Sequence, residues 1–232
     1  MRSFEEIYLA AAERVGSVTV LEDMVAHSPY PLLDLNDMNI QRWLAVFSRH
    51  VFCIGVEWRR VGKAWSSFED LFHGFELAAI ERLEPERIRQ ALRERDLPHH
   101  PGKIQAVWKN ASLLKRLEDD HGSAAGVLAD WPDEDYAGLL RFLARNGSWL
   151  SGSAAQFALR HGGKPSFILT PDVLQRLMAE GVVDRRPQTV KELYQIQDAF
   201  NEWMAQSGRS LTDVSRVLAL SAGGDWPDKD PL

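Results

Sequence analysis

The 232-residue sequence contains one cysteine, Cys53. A single thiol forms no internal disulfide, which excludes a stapled secreted scaffold and fits a reducing compartment. It also excludes a cysteine-built zinc centre, which takes two to four thiolates. No apolar run approaches the ~18 residues of a membrane span. The opening MRSFEEIYLAAAERVG carries acids where a secretory leader carries bases. A cytoplasmic protein with no membrane partner and no metal or other cofactor is expected. A basic excess is missing as well: 27 Lys and Arg face 33 Asp and Glu, a net charge of -6. A chain that holds nucleic acid by bulk charge has the opposite balance. Any such role here requires a local basic face. Alternation of β-branched and polar residues is also lacking, and the best strand candidate, Phe167-Ile168-Leu169, is too short to pair alone.

What is present is helical periodicity. Ser3-Phe4-Glu5-Glu6 has the form of a capping box, with Ile7, Ala10, Ala11 and Val15 behind it at helical spacing. Ile40, Trp43, Leu44, Phe47, Val51 and Ile54 recur at three- and four-residue steps, which predicts a helix over 37–54 stopped by Gly55. Further helices are predicted over 66–72, 76–82, 85–95, 101–120, 134–145, 152–161, 170–180, 188–207 and 210–221. The pattern predicts an all-α chain, with one helical domain over 1–222 and a seam near 130–133. A flexible tail over 223–232 follows, in which Trp226 packs back on the surface.

Four segments carry candidate chemistry. The first runs from Phe52 through Trp58, Trp65 and Phe72 to Phe75 and supplies flat apolar faces. Such faces either stack on a base or fill a core. The second, Pro101-Gly102-Lys103 to Lys109-Asn110-Ala111, opens a helix whose free amides and dipole suit an anion. The third, Arg145-Asn146-Gly147-Ser148-Trp149-Leu150-Ser151-Gly152-Ser153-Ala154-Ala155, reads as a helix-hairpin-helix turn or as a plain turn between two helices. Its glycines allow backbone amides to face outward as a phosphate nest, a mode of binding that survives in an acidic protein. Arg141, Arg145, Arg160, His161 and Lys164 flank it and are the candidate basic face. The fourth, Thr170-Pro171-Asp172, is helix-start grammar, and it sets a carboxylate where a developing sugar cation can be stabilised.

In their order, Gly55-Val56-Glu57-Trp58, Phe72-His73-Gly74-Phe75 and Gly102-Lys103-Ile104-Gln105-Ala106 with Asn110-Ala111 resemble the bacterial DNA-3-methyladenine glycosylase I family. Phe167, Thr170 and Gly181-Val182-Val183 resemble a later element of it, so the likeness spans about residues 40–183. It implies a helix-hairpin-helix glycosylase fold, two helical lobes with a cleft between them, in which a flipped alkylated base is held. The departures are specific. The zinc-binding Cys and His of that family have no counterpart here. Its pocket glutamate, eight residues before the tryptophan, is His50, and its tyrosine-bearing N-terminal motif is not recognisable in residues 1–35.

The resulting expectation is a monomeric DNA repair N-glycosylase acting on double-stranded DNA that contains a damaged base. Asp172 and His50 are its catalytic candidates, and Trp58 and Phe52 bind the base. Gly147, Gly152, Ser153, Lys103, Lys109 and Lys164 grip the DNA. The alternatives are a non-catalytic helix-hairpin-helix DNA-binding protein whose pocket is filled by its own side chains, and a helical protein that takes a small ligand.

Overall fold

Helix starts follow directly from side-chain chemistry. In the computed structural model, which describes residues 1–27 and 32–222, Ser3 caps α1 (Phe4–Val15). Its hydroxyl accepts from the Glu6 amide, and the Glu6 carboxylate accepts from the Ser3 amide at 2.9 Å. Ser17 caps α2 (Val18–Ala26) in the same way, and Asn39 caps α3 (Ile40–Cys53). The chain continues through α4 (Trp58–Lys63), α5 (Trp65–Leu71), α6 (Leu77–Ile80), α7 (Pro85–Glu94), α8 (Pro101–His121) and α9 (Ala124–Asp130). It closes with α10 (Tyr136–Asn146), α11 (Ser153–His161), α12 (Pro171–Ala179), α13 (Val190–Ser207) and α14 (Leu211–Ala222). Among the described residues there is no strand. The tail over 223–232, with Trp226, lies outside the described residues.

The chain divides into two compact units. The first holds the described residues up to 32, then 132–138, then those from 165 on; the second holds 33–131 and 139–164.

In the first unit α14 is the central helix, with Leu211, Val214, Val217 and Leu218 fully buried as it packs against α1 and α12. A file of aromatics runs beside it. Tyr136 meets Phe167 edge-on at 4.8 Å, Phe167 stacks on Phe200 at 4.8 Å, and Phe200 meets Trp203 at 5.8 Å. The segment 166–169, which contains the strand candidate Phe167-Ile168-Leu169, is buried but pairs with no strand. Its amides are satisfied by side chains of α14 instead: Ser166 donates to Thr212 Oγ1 at 3.1 Å and Ile168 to Ser215 Oγ at 3.2 Å. Buried backbone must find partners, and hydroxyls from one helix suffice.

In the second unit α8 is the spine, flanked by α3, α7 and α9, while α11 packs on α3. Phe52, Phe68, Phe72 and Phe75 are fully buried there, with Phe52–Phe68 centroids 4.6 Å apart and Phe72–Phe75 centroids 5.2 Å apart. This packing forces His73, Gly74 and Phe75 into the left-handed region, because both phenylalanines of that motif must turn inward across a tight bend.

Buried cations close several helix ends. The last carbonyls of a helix have no intrahelical donor, and a long cationic side chain supplies one. Arg216 donates to the carbonyls of Met24, Val25 and His27 at the end of α2. The Lys103 ammonium donates to the carbonyls of Phe52, at 3.2 Å, and Ile54, at the end of α3. Lys164 donates to the carbonyls of Ala129, at 3.0 Å, and Trp131, at the end of α9. Replacing Lys103 by Met keeps the apolar stem and removes the donor. The Lys103→Met variant is expected to lose about 1–3 kcal/mol in urea denaturation; an unchanged midpoint would contradict the capping role.

Candidate nucleic-acid interface and base site

The turn between α10 and α11 is built from three local constraints. At Gly147 the amide donates to the Leu143 carbonyl at 2.8 Å, and a Cβ there would lie 2.8 Å from that same oxygen. Only glycine lets the chain fold back so tightly. At Ser148 the backbone is held from both sides by one side chain: its amide donates to Asn110 Oδ1 at 2.7 Å, and Asn110 Nδ2 donates to its carbonyl at 3.1 Å. Asn110 is fully buried on α8, so the turn is pinned to the spine of the unit. At Gly152 the backbone adopts φ 57° and ψ -134°, a region only glycine enters readily.

The result is a turn with Ser151, Gly152 and Ser153 exposed at the start of α11. No side chain caps that helix. Its first amides have no side-chain cap, and the positive end of its dipole lies at the exposed Ser151–Ser153, an arrangement that accepts an anion.

The flanking cations divide into two groups. Lys109, Arg141 and Arg145 are exposed, so the basic face consists of these three. Lys103, Arg160, His161 and Lys164 are buried, against the sequence expectation that they would meet a phosphate. For Lys103 and Lys164 the physical reason is the capping described above: their ammonium groups are committed to carbonyls.

The aromatic candidates also divide. Phe52 is wholly enclosed by Phe68 and Phe72 and has no free face for a base. Trp58 is half-buried at the first position of α4, with the Arg59 guanidinium 5.2 Å from its ring centroid. Trp65 stacks on Phe75 at 5.5 Å, donates its indole N–H to Glu69 at 2.9 Å and carries the Arg49 guanidinium 5.4 Å from its centroid. Arg49 Nε is buried without a hydrogen-bond partner.

His50 faces inward from α3. Its Nε2 lies 3.2 Å from Nδ1 of His161, the rings are nearly perpendicular at 84°, and its face stacks on Phe157. Burial, then the neighbouring His161 and Arg49, hold His50 well below the usual histidine value. Burial and Arg49 hold His161 down to about 4. Near neutral pH both rings are uncharged, and one donates to the other. Burial pushes the Cys53 thiol up to about 11, so it is no thiolate. Among the described residues no group of three or more His, Cys, Asp or Glu is placed to share a metal ion. No helix among them is long and apolar enough to cross a membrane.

Asp172 belongs to the first unit. It stands in the first turn of α12, whose N-cap Thr170 accepts from the Val173 amide at 3.3 Å. Capping accounts for Thr170 and leaves the Asp172 carboxylate half-exposed. Sequence reading passed over two features of the site. Asn110 gives no sign of its partner 38 residues away. His161 is paired across 111 residues with His50.

Residues 39–136 match the methyladenine glycosylase family, a segment that contains His50, Trp58, Lys103 and Asn110. No curated protein matches the chain. A solved structure of similar fold is the 8-oxoguanine glycosylase/lyase of Methanocaldococcus jannaschii, in complex with a 15mer DNA containing 8-oxoguanine. The likeness has a TM-score of 0.53 at 12% identity, over 92% of this chain and 95% of that one. At that identity the likeness is one of fold alone, and the described elements of this chain are all helical.

The histidine pair has a pH signature. Both pKa values lie below those of the unfolded chain, so folding keeps the rings neutral while the unfolded state binds protons below about 6.5. Stability from the pair is complete above that pH and is lost as the pH falls toward 4. Between pH 7 and pH 5 His161 alone is expected to account for about 2 kcal/mol of lost stability. The check is urea denaturation at both pH values: His161→Gln should shrink the acid loss by about that amount. An equal acid loss in wild type and variant would show that the pair does not titrate.

Proposed function

We propose that the protein is a DNA repair N-glycosylase that turns a damaged base out of the duplex and hydrolyses its bond to deoxyribose, with an alkylated purine of the 3-methyladenine kind as substrate. The observation that carries this reading is the position of Asn110. It lies inside the segment that matches the methyladenine glycosylase family, and it pins the turn whose outward amides suit a phosphate. The DNA-glycosylase fold supports the same partner. DNA contact is assigned to Gly152 and Ser153 through the backbone of the turn, and to Lys109 and Arg145 beside it; Gly147 shapes the turn, its amide being spent on the Leu143 carbonyl.

A purine methylated at N3 already carries positive charge. Its glycosidic bond breaks with the electron pair moving onto the ring, which leaves neutral, and the sugar remains as an oxocarbenium ion. Water adds at C1′ and gives up a proton. The protein's share is to hold the extruded base and to favour the sugar cation. Trp58, in the second unit, is assigned to the stacking; the Asp172 carboxylate, in the first unit, is the candidate for the sugar cation that its variant tests. His50 is buried with its Nε2 against His161, so it is assigned no direct contact with the base.

A second reading has its own support. Phe52 is closed in the core and His50 is occupied by His161, as in a DNA-binding protein whose base site is filled by its own side chains. Incubation with methylated duplex DNA separates the two. The enzyme reading expects release of free methylated adenine. Asp172→Asn should abolish most of it while changing stability little, and Trp58→Ala should slow it by about one to two decades. Duplex binding without any released base above background would leave the non-catalytic reading. In either case Arg145→Ala is expected to flatten the slope of log affinity against log salt by about one.

A further inference from the structure

Trp149 lies between Ser148, which Asn110 holds, and Leu150, which is buried, yet the residue is 39% exposed. Its backbone sits at φ 63°, a left-handed conformation unusual for a bulky side chain and strained there. The ring is steadied from one side only. His100 meets it edge-on, with centroids 5.4 Å apart and planes at 69°, and Gly102 lies so near that a Cβ there would come 3.3 Å from the indole. The glycine at the second position of α8 is thus the space into which the tryptophan edge fits. Strain at a non-glycine residue persists where surrounding structure enforces it, and it gathers where a side chain must be aimed. Here the enforcement is visible in the Asn110 clamp, the Leu150 anchor and the His100 contact. They aim a rigid aromatic outward beside the exposed amides of Ser151 to Ser153.

We infer that Trp149 is a DNA-stacking residue: while the turn holds phosphates, its indole stacks on the base beside the gap left by an extruded nucleotide. This rests on the DNA reading above and adds a contact to it. An aromatic face is tolerant of sequence, so the residue reports a break in stacking rather than a particular base. Because the ring is fixed before DNA arrives, little side-chain freedom is lost on contact. The strain and exposure that make no sense for a core residue follow from this use.

The test uses the full chain and two labelled duplexes of one sequence, one intact and one with a tetrahydrofuran abasic site flanked by 2-aminopurine. Wild type is expected to bind the abasic duplex more tightly than the intact one and to change the 2-aminopurine fluorescence. Trp149→Ala should weaken binding to the abasic duplex by about tenfold or more and remove the fluorescence change, with the salt slope kept. Trp149→Phe should restore most of both. Trp149→Gly, which also relieves the left-handed strain, should keep the melting temperature while losing the contact. Wild-type binding that Trp149→Ala matches within twofold overturns the inference and leaves the DNA reading standing. A loss in Trp149→Ala that Trp149→Phe does not restore, together with a fall in melting temperature, also overturns it, because the ring is then a packing residue. Failure of wild type to bind either duplex overturns both readings.

Discussion

A single buried amide side chain organises the candidate interface. Asn110 offers one donor and one acceptor to one peptide unit, the amide and carbonyl of Ser148. Inside a packed unit such a pair is costly to leave unmade, so the turn between α10 and α11 has one position relative to α8. Everything outward follows from that fixed point. Gly152 can take its strained conformation, α11 can begin without a side-chain cap, and Trp149 can be held at a positive φ. A turn free to relax would lose the exposed amides to local hydrogen bonds.

The second constraint is the closing of helix ends. Lys103, Lys164 and Arg216 each carry a cation into the interior and spend it on carbonyls at the end of α3, α9 and α2. This explains how an acidic chain can hold basic residues that contribute nothing to its surface. The exposed cations at the turn are therefore Lys109, Arg141 and Arg145. With so few charges, contact with a phosphate backbone has to draw on fixed peptide dipoles as well. Such dipoles are positioned by the fold and are screened less than mobile side chains.

Much of this was legible from residues alone. α3 and α8 follow their periodicity, and Gly55 and Pro101 mark their ends as their backbone chemistry requires. The capping box at Ser3 forms as its spacing predicts. α2, α4 and α9 escape such reading for physical reasons. α2 opens on the β-branched Val18-Thr19-Val20 and is held by burial of Leu21 and Val25. α4 has no side-chain cap, and α9 carries Gly126 inside a short helix. At the site, the glycines and the anion-accepting turn were visible in the pattern. The fates of Lys103, Lys164, Phe52 and His50 were not, because each is decided by partners far along the chain. Local pattern tells a charged side chain's reach but not which carbonyl lies at the end of it.

The central claim is that the Asn110-pinned turn meets DNA, and hydrogen exchange tests it most directly. Amide exchange is measured for the free protein and for the protein with a duplex carrying a damaged or abasic site. Slower exchange is expected over residues 151–153, the exposed start of α11, where phosphate would cover the amides. DNA bound at saturation with unchanged exchange over 151–153 would contradict a DNA-contacting turn, and would move the interface to another face of the protein.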